Sequence, residues 1–159
     1  MDARLRDYNP TDEREIVALS LRAWAPVFES LERVLGSEIF LRLYPDWRRR
    51  QESAVADVLA GSGVRSWVAE TDHGLVGFVA ATLTSDTVGE IWMLAVDPED
   101  QNRGLGTALA ERATAWLRES GARVAVVETG GDPGHAPARR VYEKAGYKLL
   151  PIARYFTAL

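Results

Sequence analysis

Residues Gln101-Asn102-Arg103-Gly104-Leu105-Gly106-Thr107 join a buried-type apolar run to an amphipathic helix. The run is Glu90 to Val96 (EIWMLAV), bounded by Gly89 and by Asp97-Pro98. It is too short for a helix, and an unbroken apolar run of this kind reads as a strand covered on both faces. The pattern that follows places Leu105, Leu109, Ala113 and Trp116 on one face of a helix over 104–119, with Gly121 suited to its C-cap. Arg123 to Glu128 (RVAVVE) reads as a second buried strand. Strand, helix and strand make a crossover unit, so the two strands are predicted to be parallel in one sheet. At the junction, two glycines let the backbone pass close to a ligand. The helix N-terminus behind them offers unpaired N–H groups and a positive dipole end. Such a turn suits an anion with several acceptors, as a pyrophosphate has. Arg103 would add a charge-assisted contact and Thr107 a hydroxyl.

The flanks complete the architecture. Arg65 to Glu70 and Leu75 to Leu83 read as a hairpin around Thr71-Asp72-His73-Gly74, with His73 an exposed turn residue. After the loop Gly130-Gly131-Asp132-Pro133-Gly134, a short helix runs from Ala136 to Ala145, and Gly146 suits its C-cap. Tyr147 to Leu150 and Ala153 to Thr157 are expected to be strands. Before residue 62 the chain reads as helices, preceded by a short strand at Arg4 to Asp7 and a turn at Asn9-Pro10. One helix is capped by Thr11 or Asp12, and a second starts near Pro26 and stops at Gly36. A third lies within Glu38 to Tyr44, and a fourth begins at Asp46 or Trp47 and ends near Gly61. Arg48-Arg49-Arg50 reads as a solvated helix face. The predicted class is α/β (α+β): a mixed, largely antiparallel sheet with a central parallel βαβ crossover and helices on both faces.

Composition narrows the function. At 159 residues the chain is expected to form one domain over 1–159, with a helical part at 1–62 and a sheet-centred core at 63–159. There is no cysteine, so a disulfide scaffold, a cysteine–zinc site and a cysteine nucleophile are all excluded. Two histidines are few for a metal site, and no metal is expected. The formal net charge of −4 argues against nucleic acid as a partner and suits a cationic small substrate. No apolar run is long enough to span a membrane, and the N-terminus carries no apolar leader. The expected location is cytoplasmic, with no membrane partner.

The Gly-x-Gly is not a dinucleotide fingerprint, because position 109 is Leu, and no Gly-Lys-Ser/Thr follows it. What remains is Gln-x-x-Gly-x-Gly behind a buried strand. The stretch Leu94-Ala95-Val96-Asp97-Pro98-Glu99-Asp100-Gln101-Asn102-Arg103-Gly104-Leu105-Gly106 resembles the acyl-CoA signature of the GNAT superfamily, the acyl-CoA-dependent N-acyltransferases. A second block, Ala136-Pro137-Ala138-Arg139-Arg140-Val141-Tyr142-Glu143-Lys144-Ala145-Gly146-Tyr147, is similar to the later segment of that family. The resemblance covers about residues 65 to 150.

The resemblance implies an N-acetyltransferase that moves the acetyl group of acetyl-CoA to a primary amine of a small molecule or peptide by direct attack. It implies that the pantetheine arm pairs with the backbone of Leu94, Ala95 and Val96. The pyrophosphate would lie on Asn102 to Thr107, with Gln101 opening the motif. His135 stands where many relatives carry a cofactor-contacting Asn, offset from Ala138, and is read either as that contact or as an ordinary loop histidine. Tyr142 matches the tyrosine assigned to protonate the leaving thiolate; the plain alternative is an aromatic packed on the sheet. Glu90 is the candidate base, since a carboxylate in an apolar strand is costly without a role. It is equally read as the strand's solvent-accessible start, and Glu128 is the second candidate.

Acceptor choice is expected to rest on the first helices and the last strands. Trp24 and Phe28 are four apart and share a helix face, which is either a pocket lining or plain core. The stretch Arg154-Tyr155-Phe156 is the matching candidate at the other end, or a second copy in a homodimer supplies this wall. The alternative function is a non-catalytic acyl-CoA-binding sensor, and a Rossmann-like nucleotide module is opposed by the failed third glycine.

Overall fold

The computed structural model describes residues 2–159. Five strands form one sheet in the order β1-β2-β3-β4-β5: β1 (Arg4–Asp7), β2 (Arg65–Thr71), β3 (Gly74–Leu83), β4 (Val88–Val96) and β5 (Val124–Val127). The first four are antiparallel to their neighbours, and β5 runs parallel to β4. The crossover between them is α4 (Leu105–Glu119). The mixed α/β class expected from the sequence is therefore the observed one.

Helices cover both faces. On one face α4 and α5 (Ala136–Lys144) pack on a core of Trp67, Val79, Ile91, Leu109, Ala113 and Tyr142. On the other, α1 (Glu13–Leu35) and α3 (Trp47–Leu59) bury Ile16, Leu19 and Val55 against Val68, Phe78 and Ala95. Trp67, Val68 and Ala69 are consecutive and all buried, because the pleat sends alternate side chains into two apolar layers. The short α2 (Ser37–Leu43) connects α1 and α3.

The N-terminal strand is fastened by charge. Arg6 donates to both carboxylate oxygens of Asp12, at 2.8 and 3.0 Å, and also reaches Glu70 at 3.1 Å. Asp12 in turn accepts the Asn9 N–H while the Asn9 side chain accepts from Thr11, so a short capping turn precedes α1.

Three features differ from the sequence reading. The two helices expected on either side of Pro26 are one helix of 23 residues, with Pro26 inside it. The proline removes one backbone bond, but buried Leu19 and Ser20 before it and Ser30 after it hold both halves in place. Neither Tyr147 to Leu150 nor Ala153 to Thr157 forms a strand. As a result β5 is an edge, and the parallel pair lies at the side of the sheet rather than in its middle. Among the described residues no helix is long and apolar enough to cross a membrane.

Candidate active site

The site begins with a defect in β4. Opposite β3, Ala81 pairs with Ile91 and Ala80 with Met93, so Trp92 is an extra residue in the strand. This bulge reverses the alternation: Ile91 joins the α4 layer, Met93 the α1 layer, and Leu94 the α4 layer again. It also coincides with a parting of strands. β4 and β5 pair only from Val88↔Val124 to Ile91↔Val127, and beyond that point the edge of β4 facing β5 has no strand beside it. Bulges bend a strand and occur next to active sites for this reason.

A cavity of about 410 Å³ fills the parting. Its walls are Trp92 to Val96 on β4, Val127 at the end of β5 with Glu128 and Thr129 after it, the α4 N-terminus, Tyr142 on α5, and Trp24 and Val27 on α1. The loop at its floor is shaped by two left-handed residues, Asn102 at φ 62° and Gly104 at φ 82°. A Cβ at Gly104 would meet nothing within 4 Å, so conformation rather than crowding favours glycine there. The first α4 backbone bond runs from the Ala108 N–H to the Gly104 carbonyl at 3.0 Å, and no side chain caps the helix. The N–H groups of Leu105, Gly106 and Thr107 are thus left without intrahelical partners at the positive end of the helix dipole. Gln101 donates its amide to the Val96 carbonyl at 3.1 Å and ties the loop to the strand end.

Opposite the loop, Tyr142 is buried, 8% exposed. Burial, with Tyr147 beside it, pushes its phenol well above the ordinary value. Its hydroxyl has no hydrogen-bond partner among the described residues, whereas the neighbouring Tyr147 hydroxyl is engaged with Thr114 at 2.6 Å. Arg140 and Lys144, one turn apart on α5, add two cationic side chains to the lining. The motif contained them, and their i, i+4 spacing was the signal that would have placed them on one face.

A second network fixes the loop after β5. Asp132 accepts from Ser30 of α1 at 2.7 Å and from the Gly134 N–H at 3.0 Å, and its other oxygen pairs with His135 Nδ1. Arg139 donates to the carbonyls of Gly130 and Asp132 at 2.6 and 2.8 Å. Burial alone would raise the Asp132 carboxyl, but the Ser30 and His135 hydrogen bonds outweigh it and hold the group below the usual carboxylate range. Neither Ser30 nor Asp132 was singled out from sequence, since no local pattern links residues 102 positions apart.

Of the residues named from sequence, the cavity gathers Leu94, Ala95, Val96, Gln101, Asn102, Gly104, Leu105, Gly106, Thr107, His135, Ala138, Tyr142, Trp24 and Glu128. Four others lie apart. Arg103 pairs with Asp100 at 2.8 Å. Glu90 precedes the bulge, and its carboxylate accepts the Trp92 indole N–H at 3.2 Å instead of lining the cavity. Phe28 stacks on Trp47 at 4.3 Å, where α2 and α3 meet α1. Tyr155 is 91% exposed. Among the described residues no cluster of ligating side chains could hold a metal ion.

The acetyltransferase (GNAT) family model matches residues 26–147. The chain belongs to the GNAT family. Mycothiol acetyltransferase of Sanguibacter keddieii is 41% identical over 155 residues, covering 93% of this chain and 44% of that protein. Mycothiol acetyltransferase of Thermobispora bispora is 32% identical over 151 residues, covering 91% and 46%. The GNAT chain described here thus spans under half the length of these curated relatives. Two solved structures share its fold. A GNAT family acetyltransferase from Brucella melitensis in complex with acetyl-CoA has a TM-score of 0.64 at 23% identity, covering 93% of this chain and 84% of that one. An aminoglycoside antibiotic 6'-N-acetyltransferase from Acinetobacter haemolyticus has a TM-score of 0.68 at 14% identity, covering 98% of each.

Proposed function

We propose that this GNAT chain transfers the acetyl group of acetyl-CoA to a primary amine of a small molecule. The observation that carries the reading is the parting of β4 from β5, which leaves an unpaired strand edge and an uncapped helix N-terminus on one cavity. A strand edge offers alternating N–H and C=O groups to the amide-bearing arm of coenzyme A. The helix N-terminus and the left-handed loop offer N–H groups to its pyrophosphate, and Arg140 and Lys144 supply balancing charge.

Acetyl-CoA, when bound, provides an activated acyl carbon and a thiolate leaving group. An N–H on the β4 edge polarises the acyl oxygen and stabilises the charge that develops on it. The acceptor nitrogen bonds to the acyl carbon as the carbon–sulfur bond breaks. Tyr142 donates its proton to the departing sulfur, and burial keeps the phenol neutral for that task. The proton released from the amine passes to Glu128, directly or through water. We favour Glu128 over Glu90 as this base because Glu128 lines the cavity. With no cysteine in the chain, direct attack is the simplest route.

A small-molecule acceptor is favoured over a peptide by the names of the relatives, which specify mycothiol and aminoglycoside acetyltransferases. We assign the acceptor wall to α1, through Trp24 and Val27, and the acyl-CoA side to the sheet, α4 and α5, all within one domain. The test is release of free thiol from acetyl-CoA over a panel of small-molecule primary amines. The chain contributes no thiol of its own, so the signal belongs to the coenzyme. Amine-dependent release with formation of the acetylated amine is the expected result. Saturable acetyl-CoA binding without release on any amine would make the chain a non-catalytic binder.

A further inference from the structure

Acetyl transfer to a primary amine moves two protons off the nitrogen. An alkylamine, with a pKa of about 10 as in lysine, meets the protein at neutral pH almost wholly as its ammonium form. That form has no lone pair, so one proton leaves before attack and a second leaves as the carbon–nitrogen bond forms. The loop after β5 holds a base besides Glu128. Asp132 accepts from Ser30 at 2.7 Å and from the Gly134 N–H at 3.0 Å, and its remaining oxygen pairs with His135 Nδ1. Burial would raise this carboxyl, but the Ser30 and His135 hydrogen bonds hold it below the usual range, so near neutral pH it is ionised and only accepts. His135 Nδ1 therefore carries the shared proton, and in the neutral ring the lone pair sits on Nε2. That nitrogen has no hydrogen-bond partner among the described residues, and His135 lines the cavity. Space for the pair is built in. A Cβ at Gly130 would fall 2.5 Å from His135 Nδ1 and 2.5 Å from the Asp132 carboxylate, and one at Gly134 would fall 2.5 Å from the Ser30 Cβ. Ser30 lies one turn beyond Pro26 and Val27 on α1, so the pair is pinned to the wall assigned to the acceptor.

We propose that His135, oriented by Asp132, takes the first proton from the acceptor ammonium and so frees the lone pair that attacks acetyl-CoA. The inference rests on the acetyl-transfer reading and adds a residue to it. The ammonium N–H bond breaks toward Nε2, and the Asp132 carboxylate stabilises the imidazolium that forms, as a carboxylate does for a catalytic histidine elsewhere. The carbon–nitrogen bond then forms as the carbon–sulfur bond breaks, Tyr142 protonates the sulfur, and Glu128 takes the second proton from nitrogen. Of the two protons that left nitrogen, one replaces the proton given up by Tyr142. The other is the net proton released to solvent, which reaches the His135 side chain at 20% exposure. Asp132 does not line the cavity and acts as a positioning residue. The charged groups around the ring are Asp132 and Glu128 from the loop after β5 and Arg139, Arg140 and Lys144 from α5, while α1 adds the uncharged Ser30.

Two measurements test the proposal. Long-range proton–nitrogen NMR reads the tautomer of neutral His135 in the wild-type chain, and His73→Gln assigns the signal because the chain has two histidines. A proton on Nδ1 is expected, and a proton on Nε2 overturns the proposal. The second measurement is the pH profile of His135→Asn, which keeps a hydrogen-bonding group and loses the base. With the primary alkylamine that the wild type turns over fastest, kcat/KM is expected to fall about 10²-fold at neutral pH. The loss should shrink as pH approaches about 10, where the amine arrives already neutral. Asp132→Asn should follow the same profile with a smaller loss, and KM for acetyl-CoA should stay near the wild-type value in both. A loss uniform across pH, no loss at all, or a raised KM for acetyl-CoA with kcat unchanged overturns the proposal. Should His135→Asn misfold, the tautomer decides. A wild-type chain that releases no thiol on any amine overturns the acetyl-transfer reading and this proposal with it, a failure told apart from the others by the inactivity of the wild type itself.

Discussion

Gly106 of α4 lies so close to Val141 of α5 that a Cβ at position 106 would fall 2.9 Å from the valine Cγ2. The two helices that carry the uncapped N–H groups behind the glycine loop and Tyr142 are therefore set in place against each other by a missing side chain. Part of the glycine motif thus serves helix packing: Gly106 is buried, while Gly104 sets the loop conformation.

Gly106→Ala should destabilise the chain despite the better helix propensity of alanine. Propensity returns about 1 kcal/mol, but overpacking a closed contact costs about 1–3 kcal/mol. Urea denaturation is expected to show a net loss. Adding Val141→Ala should recover more than the sum of the two single effects predicts, because the residues share one contact. Independent effects would contradict this account of the glycine.

Tyr142→Phe should lower kcat by about 10²-fold or more, the usual scale for a general acid, with KM for acetyl-CoA nearly unchanged. Burial raises the phenol, so it stays protonated through the whole neutral range and somewhat above its ordinary value of 10.0. The wild-type rate is accordingly expected to show no alkaline decline below that value from loss of this proton. Full turnover by the phenylalanine variant would remove Tyr142 from the chemistry.

Glu128→Gln should lower kcat by about 10²-fold or more, the usual scale for a general base, whereas Glu90→Gln should leave it nearly unchanged. The distinction follows from position, since Glu128 lines the cavity and Glu90 accepts the Trp92 indole N–H. The reverse ranking in turnover of the two variants would return the base to Glu90.

Ser30→Ala should lower stability by about 1–3 kcal/mol, because the Asp132 carboxylate and the Gly134 N–H both lose a partner in a part-buried place. Asp132 is held below its unfolded value, so the native state favours the charged form. Its contribution is complete above about pH 4, the ordinary aspartate value. It is lost as pH falls toward the depressed native value. Acid unfolding of Asp132→Asn should therefore show a weaker dependence on pH below about 4 than the wild type does.

The core of the fold was legible because hairpin, buried strand, glycine loop and crossover helix each announce themselves locally. Trp92 was not, and the reason is instructive. After Glu90 the run IWMLAV is apolar throughout, so it has no polar alternation in which a one-residue insertion would appear. Glu90 lies before the bulge and outside the cavity, which Glu128 lines. Trp24 and Phe28 share a helix face as spaced, yet one turn carries the chain from the sheet to the α2–α3 junction, and Phe28 packs on Trp47 there. The C-terminal residues differ from the strand expectation for a physical reason too. Residues 153–157 have strand chemistry, but a strand needs a neighbour, and none lies beside them in the single chain.

The most direct test of the central claim is a backbone-amide NMR titration of the chain with acetyl-CoA. The account predicts the largest shifts at Leu94 to Val96 and at Gly104 to Thr107, on either side of the parted strands. Shifts concentrated instead around Phe28 and Trp47, with those two segments unmoved, would contradict it.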